Sequence, residues 1–350
     1  MEKPKISVLI STYKRPKLFI RALNSIINQT LKDLEIIIMD DGSSDVTNSI
    51  IRGYAKKDKR IRWVRFDETS YLPAKRYNQL ITLAQGEYIG LMFDDDVFLK
   101  NGYENLYNFY KDNEECAMVY GLTEAEHVNK RLKLKKIIFG FDWDYDLLKT
   151  RNILGNNTVL VKKDTFNKLG FHDEAEVIKR ISDRDMWLRI GKKLKVKRLN
   201  KLVSKSTIGL PDSLGQTAYL DIAKIEEYQK SSNRQIPYKG YWSNLKKVLF
   251  ISNNSNMKEL GDSINKIECS WKSSNVDIGK NKEIVSLIKE GDVIILENRK
   301  FKFGLNKFIK ENNKNIVYLD EFLKDKNLLE TENIRDRLLL HLNSLFYNIK

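Results

Sequence analysis

Apolar residues along this chain alternate between two patterns: short unbroken runs, and stretches in which they recur every three or four positions. The runs at Lys5–Ser11, Leu34–Met39, Ile61–Phe66 and Tyr88–Phe93 are too short for core helices and read as strands buried on both faces. Between the first two, Leu18, Phe19, Ala22, Leu23, Ile26 and Ile27 share one helical stripe, which predicts a helix from Pro16 to Gln29 with the proline in its first turn. A second helix is predicted to end near Tyr54, with Ser44 or Asp45 as its N-cap, and a third to span Ala74–Ala84. Strand and helix in strict alternation specify an α/β architecture with a mostly parallel sheet and helices on both faces. Ligands of such sheets bind beyond the carboxyl ends of the strands. Three polar clusters occupy those ends here: Tyr13 with Arg15, Asp40 with Asp41, and Asp94 with Asp95 and Asp96. They are expected to converge on one crevice.

The third cluster narrows the chemistry. A buried strand that opens onto three consecutive carboxylates carries repulsion and desolvation costs that a cation relieves, and oxygen ligands suit Mg²⁺ or Mn²⁺. The alternative is an acidic turn solvated by water.

Further along, Ala117–Tyr120 and Asn157–Val161 read as strands, Asp164–Leu169 as a helix, and the alternating stretch Lys130–Ile138 as an exposed ribbon. Ser182-Asp183-Arg184-Asp185 opens a short helix with Met186, Trp187 and Ile190 as its apolar face, and Ser182 and Asp185 have the spacing of a capping box. Trp143 and Tyr145, among the aspartates of 141–146, offer either an aromatic platform for a sugar or ordinary core packing. A helix over Tyr219–Gln229 precedes a polar stretch, so the chain divides into residues 1–230, a linker at 231–245, and a smaller α/β domain at 246–350. In that last part Lys247–Ser252, Asp292–Glu297 and Asn315–Leu319 are predicted strands, and Met257–Ile267, Asn281–Lys289, Leu305–Glu311 and Ile334–Ile349 predicted helices. The final helix bears an apolar stripe suited to its own domain or to a second subunit as a homo-oligomer contact; lying on a membrane surface is the less favoured alternative.

Composition excludes more than it assigns. With 41% hydrophobic and 31% charged residues, the 350-residue chain reads as globular and long enough for sizeable cores. Its formal charge of +15 suits an anionic partner such as a nucleoside diphosphate, an acidic glycan or a lipid phosphate; no nucleic-acid module is recognisable, so nucleic acid is not expected. No stretch reaches the roughly 18–20 apolar residues of a membrane span. The N-terminus lacks a signal peptide's apolar region, which gives the expectation of a cytoplasmic protein, at most at the inner face of the membrane. Cys116 and Cys269 form no disulfide framework, and three unpaired histidines make no zinc site.

Three segments in order, Ile6–Tyr13 continuing through Ser25–Thr30 to Met39–Asp45, then Asn78 with Ala84–Asp96, then Asp183–Arg189, resemble the family-2 inverting glycosyltransferases of GT-A fold over about the first 215 residues. The resemblance implies a metal-dependent transfer of a hexosyl or N-acetylhexosaminyl group from a nucleotide sugar, UDP-sugar favoured, to a hydroxyl of a glycan, lipid-linked saccharide or protein. It implies that Tyr13 stacks on the base, that Arg15 lines the nucleotide pocket and that Asp41 accepts the N3–H of uracil. Asp94 would serve ribose or a metal-bound water, Asp95 the Mn²⁺ or Mg²⁺ directly, with Asp96 as an alternative ligand because Phe93 stands where the family most often has an aspartate. Asp183 would be the catalytic base, Lys75 and Arg76 nucleotide contacts, and Asn156 and Asn157 contacts to the sugar or acceptor. Residues 246–350 fall outside the resemblance and would recognise acceptor or partner. One rival, a sugar nucleotidylyltransferase, needs a Gly- and Arg-rich phosphate loop after the first strand; the turn Ser11–Arg15 has no glycine. The other is a non-catalytic module with a relict nucleotide pocket.

Overall fold

The structure, a computed structural model, describes residues 3–44, 46–127, 136–210, 212–213 and 221–237, together with four strands between 247 and 318. The chain divides into two compact units, Met1–Lys239 and Gly240–Lys350.

The first unit is built on β1 (Ile6–Thr12), α1 (Pro16–Ile27), β2 (Leu34–Asp40), α2 (Thr47–Lys57), β3 (Ile61–Arg65), α3 (Pro73–Leu83) and β4 (Tyr88–Phe93). After these come β5 (Val97–Phe98), α4 (Gly102–Lys111), β6 (Met118–His127), β7 (Ile137–Phe139), α5 (Tyr145–Thr150), β8 (Val159–Lys162), α6 (Lys163–Leu169), α7 (Ser182–Lys193), β9 (Val196–Ile208) and α8 (Ile222–Lys230). One sheet has the order β3-β2-β1-β4-β8-β6-β9-β5, with β7 paired to β6. Strands β3, β2, β1 and β4 run parallel, as their unbroken apolar runs require. Past β4 the sheet is mixed: β8 is antiparallel to both neighbours, β6 and β9 are parallel, and two-residue β5 pairs antiparallel with β9. The core between sheet and helices gathers Ile6, Val8 and Ile10 of β1 with Phe19, Leu23 and Ile26 of α1 and Leu106 and Tyr110 of α4.

Local chemistry fixes the corners. The Gln29 side chain donates to the carbonyls of Ser25 and Leu99 and accepts from the Tyr103 N–H, tying the end of α1 to the start of α4. Gly42 has φ +82 and lies so close to residues 68–69 that a Cβ would stand 2.7 Å from a backbone carbon. Only glycine turns the chain after Asp41 there.

Several expectations are corrected. The α2 N-cap is Val46, without a side-chain cap, so Ser44 does not serve; Asp45 lies outside the described residues. The Ser182/Asp185 capping box does not form: Ile181 is the N-cap of α7, no side chain caps it, and the helix runs to Lys193. Residues 231–237, expected to begin a linker, are bonded to the first unit. The Phe171 N–H donates to the Pro237 carbonyl, and Arg234 pairs with Asp173 at 2.9 Å and Asp185 at 2.5 Å. Strand β9 went unpredicted because Val196–Ile208 mixes lysines and apolar residues without an unbroken run. Of the ribbon expected at 130–138, only its end is described, as part of β7.

The second unit contains β10 (Lys247–Ile251), β11 (Glu268–Lys272), β12 (Val293–Leu296) and β13 (Asn315–Tyr318) in a parallel sheet of order β11-β10-β12-β13. Three of the four match predicted strands; Glu268–Lys272 carries no apolar run and was not anticipated. The helices expected at 257–267, 281–289, 305–311 and 334–349 lie outside the described residues.

Candidate active site

Strands β1, β2 and β4 lie in register, with Thr12 opposite Asp40 and Ser11 opposite both Met39 and Phe93. Tyr13, Asp41 and Asp94 are therefore among the first residues beyond one edge of the sheet. The structure opens there into a cleft of about 670 Å³ lined by Tyr13, Arg15, Asp41, Asp94, Asp95, Asn156 and Asp183 among others.

The two aspartates after β2 have separate tasks. Asp40 is fully buried and accepts the Ser43 N–H at 2.9 Å, closing the turn, and burial raises its pKa. Asp41 faces the cleft. Its carboxylate accepts from the Thr69 hydroxyl at 2.8 Å, from the Ser70 N–H at 3.0 Å and from the Arg76 guanidinium. Arg76 is itself buried, lies 3.7 Å from the centre of the Phe66 ring and also donates to the Glu68 carbonyl. It does not line the cleft; it braces Asp41 from behind. Lys75 is exposed and lines no part of the cleft.

The acidic turn after β4 splits. Asp94 accepts from the Thr12 hydroxyl at 2.8 Å and from Arg15 at 3.1 Å, and Arg15 reaches Asp95 at 3.2 Å and Asp212 at 2.8 Å. Burial pushes the Asp94 carboxyl up to about 6, against the pull of Arg15. Burial likewise raises Asp95. Asp96 turns away, accepts the Thr207 N–H at 3.1 Å and lines a neighbouring cavity of about 490 Å³. Its burial raises its pKa well above the usual carboxylate range. Asp95 thus shares Arg15 with Asp94 and also lines the neighbouring cavity beside Asp96.

This arrangement fits a divalent cation in part. Asp94 and Asp95 aim oxygens at one point, now taken by a guanidinium nitrogen of Arg15, so hard anionic ligands already converge on a positive charge. Among the described residues no cluster of three such side chains forms. A diphosphate and water would have to complete the shell of an ion held there.

Asp183, in the first turn of α7, lines the same cleft. Its carboxylate accepts the Arg184 N–H at 2.7 Å and a hydrogen bond from the Asn156 amide, and burial pushes it up to about 6. Asn157, beside Asn156, is buried and bonded to the Ser204 hydroxyl at 3.2 Å; it lines the neighbouring cavity. Trp143 packs edge-on against Tyr120, with ring centres 6.2 Å apart, and lines neither space.

Several lining residues are not announced by the sequence. Tyr71 is 70% exposed with φ +53, and Lys14 has φ +52, two left-handed non-glycine residues lining one cleft. An aromatic between turn residues was the available signal for Tyr71. His172 is buried and neutral, its pKa lowered to about 4 by burial, and its Nε2 has no hydrogen-bond partner among the described residues. Asn78 positions that loop, donating to the His172 carbonyl at 2.8 Å and accepting from its N–H at 2.9 Å. Arg180, two residues before Ser182, adds positive charge to the wall.

A family model described as Glycosyl transferase family 2 matches residues 7–183. An uncharacterized glycosyltransferase of Methanocaldococcus jannaschii is 29% identical over 195 residues, covering 54% of this chain and 65% of that protein, so the chain spans just under two thirds of its length. The GalNAc(5)-diNAcBac-PP-undecaprenol beta-1,3-glucosyltransferase of Campylobacter jejuni is 29% identical over 252 residues, 67% of this chain and 78% of that protein. The crystal structure of S. aureus TarS 1-349 in complex with UDP-GlcNAc aligns over 88% of this chain and 89% of that chain, with a TM-score of 0.52 and 16% identity, which shows a shared fold.

Proposed function

The chain belongs to glycosyl transferase family 2, and from that premise we propose that it transfers a sugar, with inversion, from a nucleoside-diphosphate sugar to an acceptor hydroxyl. The observation that carries this reading is the convergence of Asp41, Arg15, Asp94 and Asp95 with Asp183 in one cleft. A diphosphate needs cationic partners and a base needs a directional acceptor. Asp183 supplies what an inverting transfer requires: a carboxylate that takes the proton of the attacking hydroxyl, with a pKa near 6 that makes it a competent base at neutral pH.

On the donor side, Tyr13 and exposed Tyr71 offer aromatic surfaces for a base. Asp41, already accepting from Thr69, Ser70 and Arg76, keeps acceptor capacity for one more donor. A braced acceptor selects uracil or thymine, whose N3 carries hydrogen, over cytosine, whose N3 does not. Uracil and thymine nucleotides are therefore favoured, UDP among them. Asp94 and Asp95 would hold Mg²⁺ or Mn²⁺, which when bound neutralises the departing diphosphate. Arg15 would then move from its present place between the two carboxylates toward the phosphates. The Campylobacter relative, by its name, acts on an undecaprenol-linked saccharide, which favours a glycan or lipid-linked saccharide as acceptor class here.

Asp183→Asn tests the base directly. Turnover of UDP-sugars is expected to fall by roughly 10²–10⁴ while calorimetric affinity for UDP stays within a few fold. Equal loss of binding and turnover would remove Asp183 from the role. In the wild type, kcat/KM is expected to drop as pH falls through about 6, where Asp183 and Asp94 take up protons.

A further inference from the structure

The Asn156 amide lies between two residues of one helix. Asp183 and Trp187 are four residues apart on α7 and so share a face one turn apart. Asn156 comes from the 3₁₀ turn Asn156–Thr158 that leads into β8, and it spans that turn from outside. The indole Nε1 of Trp187 meets its Oδ1 at 3.1 Å, and the Asn152 amide gives the same oxygen a second donor at 3.1 Å. An indole N–H can only donate, so the atom facing it must be the amide oxygen, and the NH₂ is left facing the carboxylate of Asp183. Trp187 cannot yield this position. It is fully buried and packs edge-on against His172, ring centres 6.0 Å apart.

We infer that Asn156 is a positioning residue for Asp183, locked by Trp187 and Asn152 into the orientation that donates to the carboxylate. The catalytic consequence rests on the reading of Asp183 as base; the orientation itself does not. An NH₂ donor stabilises the ionised carboxylate more than the neutral acid, and it offsets part of the burial that drives the group toward its neutral form. With the Arg184 N–H on the other oxygen, the carboxylate is held at both ends, one oxygen by its own helix and one by the turn before β8. Arg184 on the same helix is the charged neighbour that acts on it directly; Lys179 and Arg180 just before it, with Arg15, Asp41, Asp94, Asp95 and Asp212, line the same cleft, and His172 is neutral above about pH 4. None of these repeats the contact that Asn156 makes.

The test is a carboxyl titration followed by ¹³C NMR on the full chain labelled at aspartate, with Asp183→Asn identifying the resonance. In Asn156→Leu, which keeps the volume and removes both amide functions, the Asp183 pKa is expected to rise by about one unit. In Trp187→Phe, which removes the indole donor, leaves a small cavity and keeps the Asn152 donor, it should rise by less. Where a turnover assay exists, kcat should fall roughly tenfold with little change in donor KM, and the acid limb should move up with the carboxyl. An unmoved titration in a folded Asn156→Leu protein overturns the inference and leaves Asn156 as packing. If that variant does not fold, Trp187→Phe decides alone, and an unmoved titration there overturns the orientation by the indole. Full turnover in Asp183→Asn would instead defeat the base assignment, while the titration shift would still report the contact.

Discussion

Asp40 and Asp41 are adjacent and chemically identical, yet one closes a turn and the other faces the cleft, because alternate side chains leave a strand end on opposite sides. After β4 the chain turns, and the turn rather than strand alternation divides the acidic triplet: Asp94 and Asp95 both reach Arg15, while Asp96 accepts the Thr207 N–H. Sequence could count the three carboxylates but not divide them, since division depends on where the chain turns into β5. Asp95→Ala is accordingly expected to abolish any metal-dependent part of UDP binding, read by calorimetry with and without Mn²⁺, whereas Asp96→Asn should leave it nearly intact. The opposite ranking would reverse the ligand assignment. If chelation of divalent metal leaves wild-type turnover unchanged, Arg15 is itself the positive charge that the two carboxylates hold.

At the scale of elements, helix α7 matters most, because Asp183 occupies its first turn. The helix is anchored by Asp185, which faces away from the cleft and takes Arg189 at 3.1 Å, Gln229 at 2.9 Å and Arg234 at 2.5 Å. Arg234 also reaches Asp173, which accepts from the Tyr228 hydroxyl at 2.8 Å. Among the described residues, removing Arg234 leaves buried Asp173 with no cationic partner and Asp185 with Arg189 alone, so Arg234→Ala is expected to cost about 3 kcal/mol, read as a lower midpoint in urea. Activity at low temperature should fall too, because the segment 221–237 braces the base-bearing helix. A change under about 0.5 kcal/mol would show that Arg234 is an ordinary surface residue. By composition, residues from 231 on read as linker because serine, asparagine and proline are turn formers. Composition reports local preference and is blind to two buried aspartates waiting elsewhere in the chain.

At the scale of the molecule, every residue that lines the cleft, and the Arg234 clamp, falls within Met1–Lys239. A chain ended at Lys239 is therefore expected to fold cooperatively and to bind UDP as the full chain does. Its turnover on the natural acceptor would then report what residues 240–350 add. Failure of the shortened chain to bind UDP would mean that the second unit supports the site. The formal charge of +15 is a property of the whole chain and favours an anionic substrate without selecting one.

The parallel half of the sheet was legible from the chain alone, with Tyr88–Phe93 matched at both ends, because strands buried on both faces must be unbroken apolar runs. The convergence of Tyr13, Arg15, Asp41 and Asp94 followed from that topology, since parallel strands put their carboxyl ends together. What the sequence could not determine is the mixed half and the orientation of individual side chains. Strand β9 exists because β6 and β5 supply its hydrogen-bond partners, and its own polar residues do not announce it. Arg76 bracing Asp41 and Asn156 turned by Trp187 toward Asp183 depend on contacts between residues 27 to 35 positions apart. Periodicity encodes which face of an element is buried. Only the packed tertiary structure decides which donor meets which acceptor on that face.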